Sequence, residues 1–445
     1  MAPRKGHEAV RRAAKAEAKA PGLKKSLGLL DATMYGVGII LGAGIYALLG
    51  AGAGLAGNSI WISFVIGAFV AVLTGLSYCE LSSMVPREAA EYNYTKKAFG
   101  GGLAFLVGWV LLFSMIIAAS TVSIGFAGYF AQLFSLPVIP AALALLVVLT
   151  ALNMWGIKES SKFNIVATLI ESAGLVIVII LGAVFFNPAV DLTYSPNGFP
   201  GIMAGAVLMF FAFIGFEDVA NISEETKDAK RVIPRALLLS ILISTVLYIL
   251  VAVAAVGIAG WEALYRSEAP MSMILGSTLG PGAAAIMSII ALFSTSNTVL
   301  VSLLVASRMM YGMARDSSLP RALSKVHPKT GTPYVAVIAT LAVSAVFVLI
   351  GDLSLVASLT TASIFIAYIF VNGSLIRLRY TAPNEERVFR VPFSIGRFPV
   401  IAGLGLATSL VMLLYSDIIV LGAQVLLILA GAAVHSAYRK KLRGR

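Results

Sequence analysis

Two glycine-bearing stretches inside long apolar segments, Gly42-Ala43-Gly44 and Phe210-Phe211-Ala212-Phe213-Ile214-Gly215-Phe216, are the places in this chain best suited to chemistry. A glycine in a helix interior costs about 1 kcal/mol relative to alanine, so apolar spans that break at glycines need a reason. A broken helix frees backbone N–H and C=O groups, and in a membrane these are tolerated only where they are enclosed by protein or line a cavity. There they can hold both charges of a zwitterion. The competing explanation is close helix packing, for which small residues are also used.

Other reactive residues are sparse. Cys79 is the only cysteine, which leaves no intrachain disulfide or zinc cluster to expect. His7, His327 and His435 fall in a tail, a loop and the last apolar segment, so no shared metal site is expected. No nucleophile–base set or carboxylate pair converges, and neither an enzyme nor a cofactor is expected. Gly52-Ala53-Gly54-Leu55-Ala56-Gly57 matches a dinucleotide fingerprint, but no acidic residue follows at about 20 positions. Its expected role is the turn between the first two helices.

The elements that must position these residues follow from composition. Of 445 residues, 59% are hydrophobic and 12% charged, and the mean hydropathy is +0.93. This is the balance of an all-α integral membrane protein. A span needs about 20 apolar residues. Such segments read at 29–50, 59–85, 103–134, 138–156, 163–186, 199–222, 234–260, 282–313, 333–351, 354–377, 399–416 and 418–437, giving twelve expected transmembrane helices. Placing the N-terminus in the cytoplasm puts every Lys and Arg except Arg266 on the cytoplasmic side. That bias fixes orientation with both termini inside. It also accounts for the net charge of +12 without a nucleic-acid partner, because the excess is scattered over loops. Residues 1–25 lack the apolar core of a signal peptide and read as a basic cytoplasmic arm. Pro86, Pro234 and Pro333 are expected at helix–loop junctions.

The connecting segments carry the most specific local patterns. They are Tyr78-Cys79-Glu80-Leu81-Ser82-Ser83-Met84-Val85-Pro86 with Glu91-Tyr92-Asn93-Tyr94; Glu224-Glu225-Thr226-Lys227 with Ile233-Pro234-Arg235; Met313-Ala314-Arg315-Asp316 with Gly331-Thr332-Pro333; and Phe389-Arg390-Val391-Pro392. In this order they resemble the amino acid–polyamine–organocation superfamily of permeases, especially its cationic amino acid transporter-like and proton-coupled archaeal and bacterial branches. The resemblance implies an alternating-access fold of two inverted five-helix repeats with helices 1 and 6 broken, plus two extra C-terminal helices. The expected organisation is a tail at 1–25, repeats at 26–190 and 191–380, helices 11 and 12 at 381–438, and a tail at 439–445. Gly42 and Gly215 recur at an offset of about 170 residues, the same that separates the starts of the first and sixth segments.

By similarity to that superfamily, the amides of Gly42, Ala43 and Gly44 take a substrate carboxylate at a helix N-terminus. The carbonyls of Ile39, Ile40, Phe211, Ala212, Phe213 and Ile214 take its ammonium. Phe213 is the expected aromatic gate, whereas Phe210 and Phe216 read as core or lipid contacts. Ser114, Met115, Ser294, Asn297, Thr360 and Thr361 are candidates for the side-chain pocket. Proton-coupled relatives carry a lysine in the fifth helix, and here that segment offers Glu171 instead. A buried carboxyl there is a candidate proton-coupling site, with the Gly36–Gly38 backbone and Asn297 or Ser302 as expected neighbours; the alternative is a structural, hydrogen-bonded acid. Glu80, Glu217 and Asp218 read as gate or loop ion pairs with Arg87, Lys158, Lys227 or Arg231. The expected function is secondary transport of an amino acid across the plasma membrane, driven by protons, with sodium coupling also open. A neutral substrate is favoured, with an exchanger, a cationic substrate or a membrane sensor as alternatives. The sequence assigns no oligomeric state.

Overall fold

The computed structural model describes residues 27–85, 90–155, 157–315, 318–328 and 330–443. The basic arm 1–25, Pro86, Arg87 and the side chains of Lys158 and Lys162 lie outside what is described. Helices dominate: α1 (Leu29–Ile40), α2 (Ala43–Ala56), α3 (Ile60–Met84), α4 (Ala90–Phe99), α5 (Gly101–Phe134), α6 (Val138–Trp155), α7 (Ile157–Phe185), α8 (Gly198–Met209), α9 (Ala229–Arg266), α10 (Pro270–Leu279), α11 (Pro281–Arg315), α12 (Tyr334–Val348), α13 (Leu353–Thr381), α14 (Val400–Leu414) and α15 (Ile418–Arg443). Among the described residues nine helical stretches are long and apolar enough to cross a membrane, and α1, α12 and α14 are shorter apolar helices. The chain is a multi-pass integral membrane protein.

Local signals explain most boundaries. Gly100, at φ +91°, separates the amphipathic α4 from α5, and Pro333 caps α12. Gly260, at φ +74°, interrupts α9 where the expected seventh segment ends. Other boundaries differ from expectation. Gly52–Ala56 stay helical, and the turn waits for Gly57 at φ +66° and the 3-10 turn Gly57–Ser59. Pro234 lies inside α9, within its first two turns. That is past the first turn, so the absent N–H of proline removes the intrahelical hydrogen bond to the Lys230 carbonyl. The short helix α10 and the hairpin of β1 (Ser394–Ile395) with β2 (Phe398–Pro399) were not anticipated, being too short to give a periodic signal.

The most extensive helix interfaces are α5 with α11 and α3 with α9. Small residues allow close approach: a Cβ on Gly125 or Gly182 would collide with Ala47 or Ala254. At the centre, Phe64, Tyr78, Phe210, Phe213, Phe216, Tyr248, Phe365 and Tyr368 are all fully buried. The segment before α1 is tied to the segment before α9, because the Lys227 N–H donates to the Leu27 carbonyl at 2.9 Å.

Candidate functional site

Both glycine-bearing stretches break their helices. α1 stops at Ile40, Gly42 is extended, and α2 begins at Ala43. In the apolar stretch Gly198–Ala220, α8 tightens into a 3-10 turn over Phe210–Phe213. Ile214 is then extended, at ψ 131°, and Gly215 sits at φ +113° before a second 3-10 stretch, Phe216–Glu225. A side chain at Gly215 is opposed both by that φ and by Ile39, whose Cγ2 a Cβ would strike.

The breaks meet each other. A Cβ on Gly44 would lie 2.6 Å from the Ala212 Cα, so close packing is one reason for that glycine. Polar groups converge at the same place. The Tyr248 hydroxyl of α9 reaches the Ile40 carbonyl and also the Ala212 carbonyl, the latter at 2.9 Å. The Thr298 hydroxyl of α11 accepts the Ala43 N–H at 2.9 Å. A Cβ on Gly42 would sit 2.6 Å from that Thr298 oxygen. The Phe211 carbonyl accepts the Ile214 N–H at 3.3 Å, and Glu217 accepts the Gly215 N–H at 3.0 Å. Tyr248 and Thr298 went unread in the sequence. The available signal was a lone tyrosine mid-span in α9 and a threonine one turn beyond Ser294.

Among the pocket candidates, the Ser114 hydroxyl, the Ser294 hydroxyl and both carboxyl oxygens of Glu171 are buried without a hydrogen-bond partner. Buried orphans are uncommon in folded proteins and each calls for an explanation such as a ligand. Ser294 adjoins the Glu171 carboxyl, although no hydrogen bond closes between them. Met115 is half-buried at the edge of the core. Thr360 and Thr361 donate to carbonyls of their own helix, those of Val356 and Ser358.

Two of the neighbours expected for Glu171, Gly38 and Asn297, lie against Thr168. A Cβ on Gly38 would meet the Thr168 methyl at 2.9 Å, and Asn297 contacts the Thr168 hydroxyl at 3.5 Å. Thr168 precedes Glu171 by three residues, so the two share one face of α7 about a turn apart, Thr168 beside Asn297 and Glu171 beside Ser294, which is itself three residues before Asn297. There the Tyr46 hydroxyl donates to the Glu171 backbone carbonyl at 2.6 Å, and Tyr129 donates to the Tyr46 carbonyl at 2.7 Å.

Phe213 packs edge-on against Tyr248, with ring centroids 5.5 Å apart. Phe210 and Phe216 are core residues, lying against Tyr368 at 5.9 and 5.6 Å. Glu217 accepts from the Tyr368 hydroxyl at 3.1 Å, and Asp218 is half-buried beside it. Glu91 of α4 accepts from Tyr78 at 2.9 Å. Burial pushes the Glu91 carboxyl above the usual glutamate range, against the opposing effect of hydrogen bonds to its charged form.

The ion-pair partners of Glu80 differ from those expected. Arg379, at the end of α13, grips the fully buried Glu80 carboxylate through two hydrogen bonds of 2.5 and 2.6 Å. Arg387 adds an ion pair at 3.1 Å, and the Val391 N–H a hydrogen bond at 2.8 Å. Glu80 therefore fastens the Arg379–Val391 segment to α3. Lys227 and Arg231 are on other elements, and Arg231 pairs with Asp228 at 3.9 Å.

A family profile described as amino acid permease matches residues 27–436. The chain is 32% identical to the branched-chain amino acid permease BcaP of Bacillus subtilis (strain 168), over 94% of each protein. It is 31% identical to the methylthioribose transporter of the same organism, over 85% of this chain and 86% of that one. With the vacuolar cationic amino acid transporter 4 of Arabidopsis thaliana it shares 31% identity over 81% of this chain and 64% of the relative.

Proposed function

We propose that this chain, which belongs to the amino acid permease family, is a secondary transporter of neutral α-amino acids that works by alternating access and is driven by protons. The observation that carries this reading is the meeting of two broken spans at one buried place, where Gly44 faces Ala212 and carbonyls from both breaks face Tyr248. The amides of Gly42, Ala43 and Gly44 would read the carboxylate. The carbonyls of Ile39, Ile40 and Phe211–Ile214 would read the ammonium. Both charges are thereby satisfied without a charged side chain.

Ser114, Met115, Ser294 and Asn297 are the proposed lining of the side-chain pocket. The likeness to a branched-chain amino acid permease favours an aliphatic substrate. Glu171 is the proposed proton carrier. Its carboxyl oxygens are buried with no hydrogen-bond partner from the chain, which makes them a place for a proton or a cation to be taken up. Phe213, Glu217 and Asp218 are the proposed gate on the side of the sixth-span exit, with Glu80 securing the neighbouring loop.

Twelve spans arranged as two inverted repeats of five plus two, with both termini cytoplasmic in the plasma membrane, complete the reading. Matching breaks in spans 1 and 6 support it. So do the leading interfaces, α5 with α11 and α3 with α9, which join spans three and eight and spans two and seven. A cationic substrate is the second reading, favoured by the unpaired Glu171 carboxyl and by the likeness to a cationic transporter.

The test is uptake of labelled leucine into proteoliposomes with an inside-alkaline pH gradient. Saturable accumulation competed by neutral aliphatic amino acids, and absent with a sodium gradient alone, is expected. Competition by lysine and arginine instead would select the second reading, and saturable binding without uptake would mark a sensor. Glu171→Gln is expected to abolish gradient-driven accumulation while retaining exchange. Full accumulation in that variant would remove Glu171 from the coupling mechanism.

A further inference from the structure

We infer that Tyr248 and Thr298 act as built-in substitutes for the substrate in the empty carrier, and so set the ratio of net uptake to exchange; this rests on the reading of the chain as an amino acid transporter. Three of the backbone groups proposed to read the amino acid are already engaged by side chains from other helices. The Tyr248 hydroxyl faces the carbonyls of Ile40 and Ala212, one from each break. The Thr298 hydroxyl accepts the N–H of Ala43. Tyr248 thus occupies the place proposed for an ammonium, and Thr298 the place proposed for a carboxylate oxygen.

Packing fixes the Tyr248 ring, whereas Thr298 is half-buried and must yield the single hydrogen of the Ala43 N–H when a carboxylate takes it. Tyr248 is fully buried, its ring held by Phe64 at 5.4 Å and Phe213 at 5.5 Å between centroids. Thr298 approaches so closely that residue 42 has no room for a side chain. A hydroxyl carries one hydrogen, and each carbonyl oxygen has two lone pairs. Tyr248 therefore satisfies the two carbonyls only in part, and acceptor capacity is left for an incoming ammonium.

The consequence concerns the return of the unloaded carrier. Backbone groups freed at a helix break are costly in a water-poor interior unless something bonds them. A carrier whose break groups are satisfied by substrate alone meets that cost each time it crosses empty, and is confined to exchange. With Tyr248 and Thr298 in place the empty protein crosses with those groups bonded, and net uptake becomes possible.

Two initial rates test this in proteoliposomes of equal protein content: labelled leucine entering empty vesicles, and labelled leucine entering vesicles loaded with unlabelled leucine. Tyr248→Phe keeps the ring and Thr298→Val keeps the shape, and each removes a hydroxyl. Each is expected to lower net uptake about tenfold, the effect of one buried hydrogen bond left unmade, while exchange falls by less than about threefold. Thr298→Ser is expected to restore the wild-type ratio. Saturating leucine should also raise the Tm of both hydroxyl-deleted variants by more than it raises that of the wild type. An unchanged ratio of net uptake to exchange in both variants overturns the inference, as does an equal fall in both rates. If Tyr248→Phe does not fold, the Thr298→Val and Thr298→Ser pair decides. Failure of the wild-type protein to move any amino acid would instead overturn the transport reading.

Discussion

Glu171, Ser114 and Ser294 stand out at the residue scale because polar side chains inside apolar segments are conspicuous in sequence, and in the structure their polar atoms are buried without partners. Tyr248 and Thr298 escaped notice because their importance lies in what they touch, and no spacing rule announces a contact between residues 36 or 255 positions apart. Gly38 and Asn297, expected beside Glu171, lie against Thr168 one helical turn earlier on the same face. Glu91 yields a prediction of its own. Its pKa is raised by burial, so the folded protein holds the proton more tightly than the unfolded chain. That stabilisation is complete below the ordinary glutamate value and is lost as pH rises through the folded one. Glu91→Gln is expected to flatten the fall of Tm as pH climbs from the ordinary glutamate value toward neutrality. A variant whose Tm declines as steeply as the wild type's would show that Glu91 does not titrate there.

Elements show where sequence patterns carry geometry and where they do not. The breaks after α1 and after α8 were legible, because glycine among long apolar runs is a local signal with a local cause. Gly215 is the more demanding of the two. Gly215→Ala is expected to cost about 1–3 kcal/mol from strain at positive φ, together with the collision at Ile39, and to reduce transport by more than about tenfold. Gly422→Ala in α15, which meets nothing nearby, is expected to leave transport unchanged and to raise stability by up to about 1 kcal/mol. The clamp joining α3 to the end of α13 was legible only in its acidic half. Glu80 is plain in the sequence, but its partners Arg379 and Arg387 lie about 300 residues on, and only folding brings them together. Glu80→Gln leaves two arginines without their carboxylate, and a loss of about 3 kcal/mol is expected, read as a fall in Tm. Arg379→Lys keeps a charge but not the two-pronged grip, and a smaller fall is expected.

At the scale of the whole molecule, the distribution of Lys and Arg argues for one orientation in the membrane. Cys79, the only cysteine, is fully buried, so single added cysteines report topology cleanly. Thr193→Cys is expected to react with an impermeant maleimide added outside intact cells, and Lys325→Cys only after permeabilisation; the reverse pattern would invert the proposed topology. Membrane class, the rough position of most spans, the two breaks and the permease family were determined by the sequence itself. Each rests on hydropathy, charge placement or short ordered motifs, which are properties of neighbouring residues. Tertiary structure alone decided that the two breaks touch and that Tyr248 and Thr298 bond them. It also decided that Glu171 lies beside Ser294 and that Glu80 is held by two arginines. Those facts depend on which helices pack together and on how each is rotated about its axis, and a one-dimensional pattern does not encode either.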